Sequence, residues 1–412
     1  MGSYKTISNQ DIRTTRSNLN QLVDFIENDI SSSSTRKAYQ VFVTGGVGPG
    51  VTSSLYQTVF DQDITLSTAN QLFDVTVGLF SGSTTVSDVL TQQDVNGKLL
   101  FPSTSLMMRE KINIYRQYAQ LLLGNANSSF FAPFSDTSAE NRIDEALVLH
   151  FKRLFVRDGI KRETFAMKFF QSASNSGGGG LYGADTSNLS IGTISGSAIY
   201  TDVGAASSQE QSNTGGQVGN IVDASDTSRT VGTIFYQQGV VLLDLKKVIS
   251  GSQHVSGVIR AMSPASYLDA AAGRTVIGDA HHNPNAKFIP DFITSASIDD
   301  IVNHFTETRF GSGSNTVMTF QNKTTINSTL VFCRATADEF NYSSNPTYVD
   351  PNGKIRVIDT AIQDGNDEKG FSFITSIGLY DAANQLLGIA KLSRPVEKND
   401  EKDITFRVRL DF

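Results

Sequence analysis

Residues 371–412 read FSFITSIGLYDAANQLLGIAKLSRPVEKNDEKDITFRVRLDF, and three apolar runs divide this stretch. In the last run, Ile404, Phe406, Val408, Leu410 and Phe412 take every second position, with Thr405, Arg407, Arg409 and Asp411 between them. That alternation predicts a strand with one face in a core and the other in water. Phe371, Phe373, Ile377 and Leu379 repeat it, with Thr375 as the exception. The polar segment Asp381-Ala-Ala-Asn384 suits a hairpin turn. Leu386-Leu-Gly-Ile-Ala390 is apolar at both parities, which predicts a strand buried on both faces at the centre of a three-stranded sheet.

This stretch also resembles known proteins. The pattern IGLYD…LLGIAKLSRP…FRVRLDF is similar to the C-terminal end of virion structural proteins of large contractile-tailed bacteriophages, of the baseplate or tail-associated kind. Glu339–Tyr348 and Gly232–Val241 resemble two further blocks of that family, with weaker similarity at Ile114–Tyr118 and Ile143–Phe169. Residues 171–230 carry no resemblance. The resemblance implies a structural role in a tail and the six-fold symmetry usual there, without saying which ring of the tail.

Composition sets the outer bounds. A chain of 412 residues has room for two or three domains. Net charge is −7 with no Lys/Arg-rich block, which argues against a nucleic-acid partner. Cys333 is the only cysteine, so no intrachain disulfide or Cys-cluster metal site forms, in keeping with a reducing cytoplasm. No apolar run approaches the ~18–20 residues of a membrane helix, and the N-terminus lacks the form of a secretion signal. Only 18% of residues are charged, a balance that leans towards an assembled β-rich protein.

Along the chain, Met1–Thr6 fits the short myristoylation pattern, which Met-Gly-Ser openings also meet without a lipid. Ser8–Ile30 predicts an amphipathic helix with Leu19, Leu22, Val23, Ile26 and Ile30 on one side and Ser8 with Asp11 at its cap. Strand-like pieces follow at Leu55–Phe60 and Leu72–Leu79. A helix is expected over Ser103–Leu123, stopped at Gly124-Asn125. Another is expected over Ser138–Val156, with Ile143, Leu147, His150, Phe151 and Leu154 on its stripe. His150 has no second ligand at metal spacing and reads as a packed histidine. Residues 171–230 are dominated by Gly, Ser, Thr, Asn and Asp, a composition that buries little. They read as a flexible surface insertion or as an arm that orders against a neighbouring subunit. Thr164–Phe169, Thr230–Val248 and Thr316–Arg334 are strand-like, and Pro351–Lys354 is a turn signal.

Two local patterns bear on chemistry. Gly45–Thr52 has the spacing of a phosphate-binding loop, but Val51 stands where that loop needs a lysine ammonium. Gly50 and its neighbours therefore read as a Gly/Pro turn, and Val240–Asp244 as a buried strand end. Asp279, His281 and His282 lie within four residues and are the weak candidates for a metal. No second Asp/Asn/His cluster follows, and adjacent histidines point apart on a strand and ~100° apart on a helix. No set of nucleophile, base and orienting group emerges.

The expectation is an α+β protein. Residues 1–170 form a mixed domain with amphipathic helices, 171–230 an insertion or assembly arm, and 231–412 an antiparallel, sandwich-like β-rich domain. It is expected to be a non-enzymatic, cofactor-free tail component, placed in the baseplate wedge and assembled in the host cytoplasm with other tail proteins. The alternatives within the tail are a neck or tail-completion ring and a fibre-attachment protein. From other classes, they are a metal-dependent hydrolase using Asp279, His281 and His282 and a glycan-binding module. Interface candidates are Leu19, Leu22, Ile26, Tyr342, Tyr348, Tyr380, Arg407 and Arg409.

Overall fold

The structure is a computed structural model. It describes residues 4–42, 52–91, 93–94, 96–99, 104–175, 191–208, 210–248, 297–311, 313–343, 345–353 and 371–412. Of these, 47% are strand and 17% helical, which corrects the expected α+β class with a helical N-terminal half: the chain is mostly β. The Asp279, His281 and His282 cluster and most of the Gly45–Thr52 segment lie outside the described residues. Chain contacts divide the protein into two units, residues 20–324 and residues 1–19 with 325–412.

Two of the expected helices are strands. The first is β1 (Ile12–Ile26), preceded by a 3-10 turn at Asn9–Asp11 whose cap Ser8 Oγ accepts from Gln10 N. Helical spacing would bury Leu19, Leu22 and Ile26, yet these are 51, 65 and 37% exposed. Val23 and Phe25, two apart, are the buried pair. Thr14, Thr15, Asn18 and Asn20 are weak helix formers, so nothing local opposes the extended form. Helix begins only at α1 (Glu27–Ser31).

The second is β5 (Glu145–Phe151), buried at every position except His150, which is half-buried. A run that is apolar on both parities fits helical and strand periods alike, so its position between two strands decides the outcome. The helix expected near Ser103 is present as α3 (Leu106–Leu123). Ser105 Oγ caps Met108 N, and Gly124 closes the helix at φ +78°.

The larger unit is built on an antiparallel sheet. Its remaining strands are β2 (Arg36–Phe42), β3 (Thr52–Phe60), β4 (Gln71–Leu79), β6 (Ala166–Asn175), β7 (Ile191–Thr201), β8 (Glu210–Ser212), β9 (Gly216–Asp223), β10 (Asp226–Phe235), β11 (Val240–Asp244) and the start of β12 (Thr316–Ala335). The order is β12-β6-β7-β9-β10-β11-β5-β4-β3-β2, with β8 on β9. The described part of residues 171–230 therefore supplies strands of the sheet, where composition predicts an insertion that buries little. A few apolar side chains are enough to bury them: Ala198, Tyr200, Val218, Ile221 and Val222 are all in the core. Four short helices, α2 (Thr84–Thr91), α4 (Arg153–Val156), α5 (Leu245–Val248) and α6 (Ile298–Thr308), complete the unit.

Both sheet faces are covered. On one, Tyr115, Ala119 and Leu122 of α3 join Phe130, Val148, Phe235 and Leu242. The helix comes so close that a Cβ on Gly78 would lie 3.2 Å from Tyr115 Cα. On the other face, Phe25, Phe73, Phe151 and Phe320 interlock, with ring centroids 5.0 Å apart for Phe151–Phe320 and 5.4 Å for Phe25–Phe73. Val302 and Phe305 of α6 extend that cluster.

In the smaller unit, β12 pairs antiparallel with β15 (Ile404–Asp411), from Ser328↔Asp411 to Ala335↔Ile404. β13 (Ser372–Tyr380) pairs with β14 (Leu386–Lys398) as a separate two-stranded sheet. The turn falls at Asp381–Asn384 as expected, with Asn384 at φ +61° and Asp381 Oδ1 accepting from Ala383 N and Gln385 N. The reading of Leu386–Ala390 as a buried central strand is corrected. β14 has β13 as its only strand partner among the described residues, and Leu386, Leu387 and Ile389 are 48, 66 and 58% exposed.

Candidate interaction surface

The smaller unit has little core of its own. Val331, Ala335, Leu379 and Val408 are its buried apolar residues among those described, and Ile7, Cys333, Ile377, Ala390 and Leu410 pack partly buried around them. The β13–β14 hairpin lies on the β12–β15 pair, and a Cβ on Gly388 would stand 3.4 Å from Leu410 Cδ2. In β15 the alternation read from sequence holds: Val408 is buried, Ile404, Phe406 and Leu410 are half-buried, and Arg407 and Arg409 are exposed.

Polar ties fix the base of the hairpin. Lys398 is fully buried, and its Nζ donates to Ala337 O (3.0 Å), Asn341 Oδ1 (2.7 Å) and Asn399 O (2.6 Å), which satisfies all three ammonium protons. Ser372 Oγ donates to Phe340 O at 2.9 Å, and the Tyr348 hydroxyl donates to Phe371 O. The block Glu339–Tyr348 thereby braces both strands. Lys5 hydrogen-bonds Glu339 at 2.5 Å, and with the Thr336 N–H it holds that carboxyl down to about 2.

Beside exposed polar residues such as Thr375, Ser376, Lys391 and Arg394, the hairpin leaves several large apolar side chains outside. Phe373, Leu386, Leu387 and Ile389 are 50, 48, 66 and 58% exposed, and Phe412 of the adjoining strand end is 76% exposed. Tyr380 is half-covered by an edge-on contact with Tyr4, centroids 5.3 Å apart. Among the described residues each strand of this two-stranded sheet also keeps one unpaired backbone edge, the usual template for adding a strand from another chain. An isolated hairpin of this kind is marginal in water without further packing. Chemically, such a surface can bury apolar area and form main-chain hydrogen bonds, which are the two components of a strand-addition interface.

The expected interface residues fall as follows. Tyr342 is 60% exposed and Tyr348 half-buried beside the base of the hairpin. Arg407 projects from β15 with no ion pair among the described residues. Arg409 is held by Asp411 (2.8 Å) and Ser328 (3.2 Å), and hydrogen bonds from Ser328 and Arg409 lower the Asp411 carboxyl. Leu19, Leu22 and Ile26 are exposed on β1. Sequence reasoning missed Phe373, Leu386, Leu387, Ile389 and Phe412. The available signal was the adjacency of Leu386 and Leu387, which puts apolar side chains on both faces of a strand.

Elsewhere the described residues hold no group of three or more His, Cys, Asp or Glu placed for a metal ion. His150 packs on Tyr118, with Nδ1 3.5 Å from the hydroxyl, and burial pushes its pKa down. No helix among the described residues is long and apolar enough to cross a membrane. Comparison with protein-family models, curated proteins and solved structures finds no match.

Proposed function

We propose that the chain is a structural subunit of a contractile bacteriophage tail, joined to its neighbours through the exposed face and open edges of the β13–β14 hairpin. The observation that carries this reading is the imbalance of the smaller unit, which among the described residues buries four apolar side chains and leaves Phe373, Tyr380, Leu386, Leu387 and Ile389 exposed on one hairpin. Large exposed apolar surface on a folded protein marks an interaction site. The occupant fitting both the open edges and the apolar face is an extended segment of another protein of the same tail, added as a further strand. The similarity of the hairpin and of Glu339–Tyr348 to tail-associated proteins supports the particle, and six-fold symmetry follows from that family. The baseplate wedge is the first location, with a neck or tail-completion ring and a fibre-attachment role as alternatives.

Immunogold labelling of intact particles, with antibody to the whole protein, tests this. Gold at the distal end of the tail supports the baseplate, and gold at the head–tail junction moves the protein to the neck. Bare particles, with the protein confined to the soluble lysate, would overturn the structural role.

A further inference from the structure

Beyond β5 the chain makes two tight turns that come together around a hollow of about 390 Å³ in the larger unit. One runs through α4 to Gly159, and the other is the Tyr236–Gly239 turn between β10 and β11. Their approach is fixed by backbone hydrogen bonds, Phe151 N to Gly239 O (2.9 Å) and Ile160 N to Tyr236 O (2.8 Å), and Asp158 N ties the first turn to Lys323 O of β12 (3.0 Å). Gly239 sits at φ +65°, where a Cβ would lie 2.5 Å from Val156 Cγ2, so only glycine lets the turns close this far.

The side chains around this hollow have a specific chemistry. Arg153 and Arg157, both exposed residues, line it, and neither has a carboxylate partner among the described residues. Gln237 and Gln238 add two amides, each able to donate and accept. The apolar parts are Phe151 and Val156. His150 also lines it, and Asp158 supplies the one carboxylate.

A second observation is independent of the lining. Arg157 has φ +60° and ψ −115°, a conformation that strains every residue except glycine. It is held there by its N–H to Arg153 O at 2.8 Å and by a bridge to Lys323. An arginine stands where glycine would relax the backbone, and residues held in such conformations cluster at ligand sites.

We infer that this hollow binds one small hydroxylated molecule bearing a single oxyanion, a carboxylate or a phosphate, of about monosaccharide size. The two arginines of the lining take the oxyanion in the fork geometry that a guanidinium provides. The two amides and the imidazole take hydroxyls, and the Asp158 carboxylate disfavours a second anionic group. The volume falls in the range of small-molecule sites, ~300–1,000 Å³.

Isothermal titration of the full-length protein with galacturonate, glucose 6-phosphate, galactose and inorganic phosphate tests the inference. Galacturonate or glucose 6-phosphate is expected to bind, the tighter of the two identifying the oxyanion, with galactose and inorganic phosphate at least tenfold weaker. Arg153→Gln and Arg157→Gly should each weaken the acid at least tenfold. Arg157→Gly should do so with an unchanged or higher melting temperature, because it relieves the backbone; this separates lost binding from lost folding. No binding by any probe at 10 mM, binding of inorganic phosphate alone, galactose binding as tightly as the acids, or unaltered affinity in both variants would each overturn it.

Discussion

Asp244, 1% exposed at the end of β11, shows how single residues tune this protein. Burial pushes its carboxyl up to about 6, opposed by the Lys246 N–H and by the charges of Lys247 and Lys246. Lys246 is in turn drawn to Asp144 at 2.9 Å, and Arg142 Nε holds the other oxygen of that carboxylate at 2.6 Å. A carboxyl raised in the fold favours its protonated form there. Its contribution to stability is complete below the unfolded value near 4 and is lost as pH rises through about 6. Asp244→Asn keeps the Oδ1 acceptor for Lys246 N, 3.1 Å away, and removes the charge. Thermal melts from pH 4 to pH 8 should show the variant gaining on the native protein across this window and levelling off above it. The gain at pH 7 has a ceiling of about 3 kcal/mol for a shift of roughly two pH units. A difference independent of pH would contradict the assignment.

Among the elements, β1 separates the strand from the expected helix most sharply. In the helix, Leu22 would be core; in the strand it is exposed and Phe25 is 1% exposed. Leu22→Ser should therefore change unfolding free energy by no more than about 0.5 kcal/mol, and Phe25→Ala should cost about 3–5 kcal/mol. Chemical denaturation measures both, and the reverse ranking would restore the helix. How legible each element was depends on whether its pattern had one cause. β15 alternates strictly because one of its faces meets Val331 and Leu379, and α3 carries its own cap and stop. β5 is apolar throughout, so its period held no information. The start of β14 is apolar on both parities with exposure in place of the expected burial, and a sequence alone does not distinguish a core strand from an exposed apolar one. Strands β7–β10 were masked by Gly and Ser lying between the few side chains, such as Tyr200 and Ile221, that the core needs. The candidate site is legible in position from the C-terminal run of strands, but its exposed apolar residues are not.

At the scale of the molecule, the two units contrast in burial. Residues 20–324 enclose an extended aromatic and aliphatic core on both faces of a sheet, enough to fold by their own burial. The other unit buries little and displays Phe373, Leu386, Leu387 and Ile389. On the proposed reading, the larger part is self-sufficient and the smaller gains its remaining burial from a neighbour. The measurement that bears most directly on this is incorporation of a Leu387→Lys, Ile389→Lys double variant into tail particles in competition with native protein. Both positions are exposed, so the purified variant should melt within about 2 °C of the native protein. The account predicts that sedimented particles contain native protein and exclude the folded variant. Equal incorporation of the two would show that the hairpin is not the joining surface.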